Sequence, residues 1–571
     1  MKTRYRSKRT RANVRSIVCQ SIAAMLFFCA PARSDNSKIS RDLQGNSSSA
    51  RTDVIVQFTV PPTQGIINSV LAGGSLKKEF KKIKAALMTV PTQAIQGISN
   101  NPNVRYISPD RKVRGSLQFA EPAVNANIAF QYGYTGAGVG VAIVDSGILA
   151  AHSDLQGTNG SRVVYSESFV ANDTSTADAY GHGTHVAGIV GGNAAASSGP
   201  MALYTFRGIA PGVNLINLRA LDQNGSGTDS SLISAIEQAI TLQSTFNIRV
   251  LNLSAGRGVL DSYRNDPLCQ IVEQAWNAGI VVVVAAGNNG RDNSMGTLGY
   301  ATITSPANDP YIITVGAMKD ESTVVRSDDL IASYSSKGPS VYDHIVKPDL
   351  VAPGNNIVSA LAPTSTLATL YPANVISASS YYRGVVDIPS NYMQLSGTSM
   401  AAPMVSGTVA LMLQKDPTLS PDTVKARLMK TATKAFPTSS TATDLTTGAT
   451  YTSFYDIFTV GAGYLDSLAA LNSTDVISSQ QTAMSPTAVY DSITNTVSIG
   501  GAANSVWGSN IIWGDNIIWG DNIIWGDNII WGDNIIWGDS TIAGFNIIWG
   551  DNIIWGDSQP FSESISTKGE K

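Results

Sequence analysis

The chain has 571 residues, 43% of them hydrophobic and 14% charged, which excludes a wholly disordered polymer and predicts a large core with appendages. Its 39 basic and 42 acidic side chains are unevenly placed: residues 1–32 carry seven Lys/Arg and no acid, and residues 33–118 carry thirteen basic and five acidic groups. The remainder is net −18, which argues against a nucleic-acid partner for the main body.

In chain order, a basic stretch of fifteen residues precedes an almost uncharged apolar run, 16–30, and then Ala30-Pro31-Ala32. That is the order of a secretory signal, so residues 1–32 are read as a signal peptide and the protein as secreted or extracytoplasmic. A membrane span needs about 20 apolar residues, more than this run supplies before Pro31. Bulky Phe28 argues against lipid attachment at Cys29. With Cys19 and Cys29 removed, only Cys269 remains, which excludes an intramolecular disulfide in the mature chain.

Residues 33–52 read as a Ser/Asn-rich linker. Residues 53–114 read as a small α+β module: a strand at 53–60, a Lys-rich piece at 77–84, a helix near 92–99 and a closing strand at 103–107. From about Gly138 the pattern becomes apolar strands (139–144, 248–253, 280–286) alternating with helices (231–242, 267–278, 400–413). Such alternation predicts an α/β fold with a mostly parallel sheet covered by helices on both faces, closing near residue 471. Residues 472–503 read as a linker.

The last segment, 504–558, repeats the hexad Asn-Ile-Ile-Trp-Gly-Asp. Trp recurs at 507, 513, 519, 525, 531, 537, 549 and 555, with Ala543 in the same slot of one degenerate copy. An even period keeps every Trp on one face of an extended chain, and Gly-Asp supplies a regular turn, so a β-solenoid is one reading. A low-complexity tail is the other. Surface attachment, carbohydrate binding through aligned Trp, and self-association are the roles that such a tail would fit.

Three short runs carry chemistry: Val144-Asp145-Ser146-Gly147 at the carboxyl end of a buried strand, Gly181-His182-Gly183-Thr184-His185, and Gly397-Thr398-Ser399-Met400-Ala401-Ala402-Pro403 at the start of an apolar helix. Each alone reads as a cap or a turn. Together they offer a serine nucleophile, a histidine base, and a carboxylate to hold the base in one tautomer. With only His152, His182, His185 and His344 in the chain, few residues compete for the base.

In the order Asp, His, Ser these runs resemble those of the subtilisin-like serine proteases, the subtilases of peptidase family S8. The resemblance covers about residues 119–471, and module 53–114 is similar to the family's inhibitory propeptide. It implies a subtilisin-like catalytic domain and a secreted serine endopeptidase, made as an autoprocessed zymogen and acting on protein or peptide substrates. Asp145 would orient His182, the general base, and Ser399 would be the nucleophile; His185 would be structural. Asn288, in Ala285-Ala286-Gly287-Asn288, matches the oxyanion-hole residue, with the Ser399 N–H as second donor. Leu253, Ser254, Ala255 and Gly256 match the strand that pairs with substrate.

The resemblance also makes the chain's own propeptide an intramolecular inhibitor, cut off between about Arg114 and Val124. The chemistry requires no cofactor. Family members often bind structural Ca²⁺, and Asp154 matches one ligand position, but the 191–199 loop does not match, so the metal stays open. The alternative function is a catalytically silent surface or binding protein acting through the Trp repeat.

Overall fold

A computed structural model describes residues 38–40, 43, 51–80, 83–109, 117–294, 296–383, 389–444, 447–478, 480–491, 496–500, 561–562 and 570. The signal segment 1–32 and the hexad repeat 504–558 lie outside the described residues. The chain divides into two compact units, Met1–Val113 and Arg114–Lys571.

In the first unit the strand order is Ser75–Phe80, Ala85–Pro91, Arg51–Phe58, Val104–Pro109, with every neighbouring pair antiparallel. Helices Gln64–Val70 and Ile95–Ser99 fall between the strands in sequence, giving the β-α-β-β-α-β arrangement of ferredoxin-like modules. The cause is legible along Arg51–Phe58, where Val54, Val56 and Phe58 are buried and their neighbours are not, a period of two that turns one face to the helices. Burying each such side chain is worth roughly 1.5–3 kcal/mol. The core they form also takes Ile39 and Leu43 from the stretch expected to be a linker, and Ser40 N donates to Ile107 O at 2.9 Å. The module therefore begins earlier than residue 53, because those two apolar side chains complete its core.

The second unit is built on an eight-stranded sheet. Its path runs Leu330–Ile331, Ile313–Lys319, Val281–Ala285, Ile248–Leu253, Gly140–Asp145, Asn214–Arg219, Val163–Ser168, and Leu350–Pro353 also pairs with Ile313–Lys319. Only Leu330–Ile331 runs antiparallel to its neighbour among these pairings. Every residue of Gly140–Asp145 is buried, although alternate side chains point to opposite faces, so both faces are covered. Helices His182–Gly191 and Thr398–Lys415 pack on each other, as do Asp229–Thr241 and Pro267–Asn277, and both pairs pack on the sheet. The fold is thus α/β with a largely parallel central sheet.

Thr398–Lys415 is buried from Thr398 to Leu413, as its run of apolar and small residues requires. No described helix is long and apolar enough to cross a membrane. Asp349 anchors the layer beneath the sheet through Lys347 Nζ at 2.7 Å, Lys425 Nζ at 3.2 Å and Ser485 Oγ at 2.5 Å. Burial opposes the Asp349 charge, yet the two ammonium groups outweigh it and hold the carboxyl below its ordinary range.

The stretch expected to link the domain to the repeat, 472–503, instead contains a hairpin, Thr487–Asp491 with Thr496–Gly500. Ile477, Ala483, Ala488 and Val497 share a core cluster with Tyr300, Val346 and Phe458, so the second unit extends past residue 471. The physical reason is ordinary burial: these apolar side chains leave water by joining that cluster.

Candidate active site

Parallel strands deliver their functional groups at their carboxyl ends, and the site forms there. Asp145 is the last residue of Gly140–Asp145, and His182 is the first of His182–Gly191. His182 Nδ1 lies 2.8 Å from Asp145 Oδ1 and 2.9 Å from Oδ2. With a carboxylate on Nδ1, that nitrogen carries the proton in the neutral ring and Nε2 keeps a lone pair. Both side chains are shielded from water, at 0% and 1% relative exposure. Ser146 N also donates to Asp145 Oδ1 at 2.7 Å, fixing the carboxylate plane.

The close approach of helix and strand depends on Gly183. A Cβ there would stand 2.2 Å from Gly147 O, so any larger residue would push His182 off Asp145. Gly181 precedes the helix at φ +101°, a left-handed conformation that glycine adopts without strain.

A second carboxylate, which the motifs alone did not single out, ties the two loops together. Asp178 accepts from Ser146 Oγ at 2.8 Å, Gly181 N at 2.6 Å and Thr184 N at 2.7 Å. Ser146 Oγ in turn accepts from Gly183 N at 3.0 Å. Asp178 thereby satisfies N–H groups at the start of the histidine helix and joins them to the residue after Asp145. Its own carboxyl is pushed up by burial. The signal that could have found it is an acid four residues ahead of a glycine-flanked histidine.

Ser399 is the second residue of Thr398–Lys415 and is fully buried. Among the described residues nothing hydrogen-bonds to His182 Nε2, and Ser399 Oγ donates to Ser254 O at 3.3 Å. Ser254 Oγ returns a bond to Ser399 O at 3.2 Å and accepts from Asn252 Nδ2 at 3.0 Å. Catalytic hydrogen bonds are often loose without substrate and tighten when it binds.

Asn288 follows the strand Val281–Ala285 and its side-chain oxygen accepts from Thr398 N at 2.9 Å, one residue before Ser399. The other end of the carboxamide, its NH₂ group, is a donor. Leu253 closes the strand Ile248–Leu253, and Ala255–Gly256 forms a short buried strand just beyond it. The structure thus brings Asp145, His182, Ser254, Asn288 and Ser399 to one end of the sheet.

Other sequence candidates have different surroundings. His185 is buried and its Nε2 bonds Ile357 O at 3.1 Å and Met393 O at 3.2 Å, tying the helix to two strands. Burial, with a smaller effect from His182, pushes its pKa down to about 3, so the ring stays neutral. Cys269 is buried, and its thiol is driven well above its ordinary range by burial, which suits a packing role. Asp154 accepts from Tyr392 Oη at 2.6 Å and from Ala196 N at 2.7 Å, protein donors on the oxygens that a cation would take. Among the described residues no group of three or more His, Cys, Asp or Glu is placed to hold a metal.

Residues 136–450 match the subtilase family. The chain belongs to that family. It is 39% identical over 366 residues to the serine protease AprX of Bacillus subtilis (strain 168), covering 63% of this chain and 76% of AprX. It is 35% identical over 364 residues to subtilisin E of the same organism, covering 63% of this chain and 78% of that protein. An extracellular serine proteinase of Thermus sp. (strain Rt41A) is 33% identical over 374 residues, covering 64% and 74% respectively. As a subtilase the protein is a serine endopeptidase, and its substrates are proteins or peptides.

Proposed function

We propose that this subtilase cleaves peptide bonds through an acyl-enzyme on Ser399, with His182 as general base and Asp145 as its orienting carboxylate. The observation that carries the reading is the two-oxygen grip of Asp145 on His182 Nδ1, at 2.8 and 2.9 Å between two buried side chains. That grip leaves Nε2 as the ring's only acceptor. Substrate binding brings Ser399 Oγ to Nε2; His182 takes the hydroxyl proton as Oγ adds to the scissile carbonyl. The imidazolium that forms is stabilised by Asp145 and then protonates the leaving amine. Water repeats the sequence in reverse roles and frees the acid product.

Developing charge on the carbonyl oxygen is met by the Asn288 carboxamide and the Ser399 N–H, at the N-terminal end of a long buried helix. Leu253, Ser254, Ala255 and Gly256 offer backbone pairing to an extended peptide, which makes sequence selectivity loose. No metal or cofactor takes part in these steps.

The reading extends to maturation. Residues 1–32 direct export, and the basic N-terminal unit serves as the inhibitory propeptide. Its net +8 over residues 33–118 attracts the net −18 body. Leu117–Ala123 is helical with Ala120 in the core, and a protease needs an extended segment, so cleavage on the amino side of Leu117 is favoured.

Intact mass of wild-type and Ser399→Ala chains, with a peptide-hydrolysis assay on both, tests this function. The wild type should lose its basic N-terminal segment and cut substrate while the variant does neither. A folded wild type that stays full length, hydrolyses nothing and takes no fluorophosphonate label at Ser399 would overturn it.

A further inference from the structure

The strand that would receive substrate already has a partner within the chain. Phe561–Ser562 pairs antiparallel with Ala255–Gly256, placing Ser562 opposite Ala255 and Phe561 opposite Gly256. Because Ala255–Gly256 leads away from Ser254, the antiparallel segment runs toward it, and Ser254 O is the acceptor of the Ser399 hydroxyl bond. A peptide whose carbonyl is to be delivered to Ser399 must approach with this polarity.

The same terminus is held a second time, eight residues on. Glu570 is buried at 7% exposure. Its carboxylate accepts from Arg291 Nη2 at 2.5 Å, from Ser333 N at 3.1 Å, and from Ser333 Oγ. Its backbone is fixed as well: Glu570 N donates to Asn355 Oδ1 at 2.8 Å, and Glu570 O accepts from Asn355 Nδ2 at 3.0 Å and Asn356 Nδ2 at 3.1 Å. These anchors adjoin the catalytic loops. Arg291 stands three residues after Asn288, Gly354 O accepts from Gly397 N at 2.9 Å, and Asn356 N donates to Ser396 Oγ at 2.8 Å. The tail is therefore held at two places, next to Ser254 through Ala255–Gly256 and next to the 396–397 loop through Asn355 and Asn356.

We propose that the C terminus of this chain is a tethered occupant of its own peptide groove, held by strand pairing at Phe561–Ser562 and by the Glu570 carboxylate. It acts as an intramolecular competitive inhibitor separate from the basic N-terminal unit. A buried carboxylate met by a guanidinium and a backbone N–H is a strong, charge-assisted contact, which suits an inhibitory anchor. The inference rests on the peptidase reading of Ser399.

The test compares wild type, Glu570→Arg and a chain lacking residues 559–571, each checked by intact mass. A tethered segment competes at an effective concentration on the order of 1 mM, so a tail of about 0.1 mM affinity raises the apparent KM about tenfold. Glu570→Arg sets two cations together and should lower KM by that factor with kcat unchanged, as should the deletion. A synthetic peptide of residues 559–571 should inhibit the deleted enzyme competitively. If wild type proves to have shed its tail, the peptide acting on that trimmed enzyme is the deciding measurement. Equal KM in all three full assays, with no inhibition by millimolar peptide, would overturn the inference while leaving the peptidase intact. Failure of every chain to hydrolyse peptide or to label with fluorophosphonate would instead overturn the peptidase reading.

Discussion

Asn288 illustrates how one side chain acquires a role from its neighbour. Its oxygen accepts from Thr398 N, which orients the carboxamide beside Ser399, and its sequence position after a valine-rich strand points the same way. Asn288→Ala should lower kcat by about 10²–10³-fold with KM little changed. That magnitude is the one known for a subtilisin's own oxyanion donor, not one obtained from these distances. His185 makes the opposite case, a motif histidine that works for the fold. Held at a pKa of about 3 by burial, it takes up no proton where an unfolded histidine, at about 6.5, does. The unfolded state therefore binds more protons between those values, and stability falls as pH drops through that window. The full difference caps this group's share at roughly 5 kcal/mol. A plot of melting temperature between pH 7 and pH 4 should slope less for His185→Gln than for wild type. An identical slope would remove the assignment.

At the scale of elements, the catalytic geometry depends on how closely the helix His182–Gly191 approaches the strand Gly140–Asp145. A methyl group at residue 183 would overlap Gly147 O, and that backbone oxygen has no flexible end to move aside. Gly183→Ala is expected to lose activity by about 10²-fold or more through displacement of His182, since a 1 Å error in a reacting group costs that much. The companion measurement is thermal melting. Activity that falls with melting temperature unchanged would localise the effect to the site, and unaltered kinetics would show that the loops yield.

The elements also show why parts of the sheet escaped a reading by pattern. Asn214–Arg219 interrupts its apolar run with Asn217 and Arg219, both buried. Arg219 Nη1 is satisfied by Asp173 at 2.7 Å and Ser175 O at 2.6 Å, partners more than forty residues away. A buried charge of this kind is tolerated only when paired, and pairing across such a separation has no local signal. By contrast the valine run 281–284 is apolar throughout and reads plainly as a strand. Asp178 is legible only in part: Gly181 and Thr184 lie three and six residues on, whereas Ser146 lies 32 residues back and only the fold brings it close.

Over the whole molecule, charge is distributed so that residues 33–118 are net +8 and the rest, after the signal, net −18. Attraction between opposite patches is screened over about 10 Å at 0.1 M salt and about 3 Å at 1 M. Inhibition of the processed enzyme by its released N-terminal segment should weaken by about tenfold or more between low salt and 1 M, a change read directly as the inhibition constant. No dependence on salt would mean that the two associate through apolar contacts alone. If inhibition by the C-terminal peptide is also measured, its salt response should be smaller, because backbone pairing contributes alongside the single Glu570–Arg291 ion pair.

What the sequence alone determined was whatever is written in contiguous residues: the buried strand ending in Asp145, the glycine-flanked His182, the serine opening an apolar helix, and the family these imply. Strand runs and helix periodicity sufficed for the α/β class because both arise from side-chain alternation along a short segment. Only the tertiary structure decided which polar groups meet. It set the 2.8 Å contact of His182 with Asp145 across 37 residues, the bracing by Asp178, the Ile39 and Leu43 contribution to the first core, and the hairpin beyond residue 471. It also brought Phe561–Ser562 and Glu570 to the edges of the catalytic loops, about 160 to 170 residues further along the chain than Ser399. Contacts of that range depend on where the folded chain returns to itself, and no local pattern of residue types encodes that return.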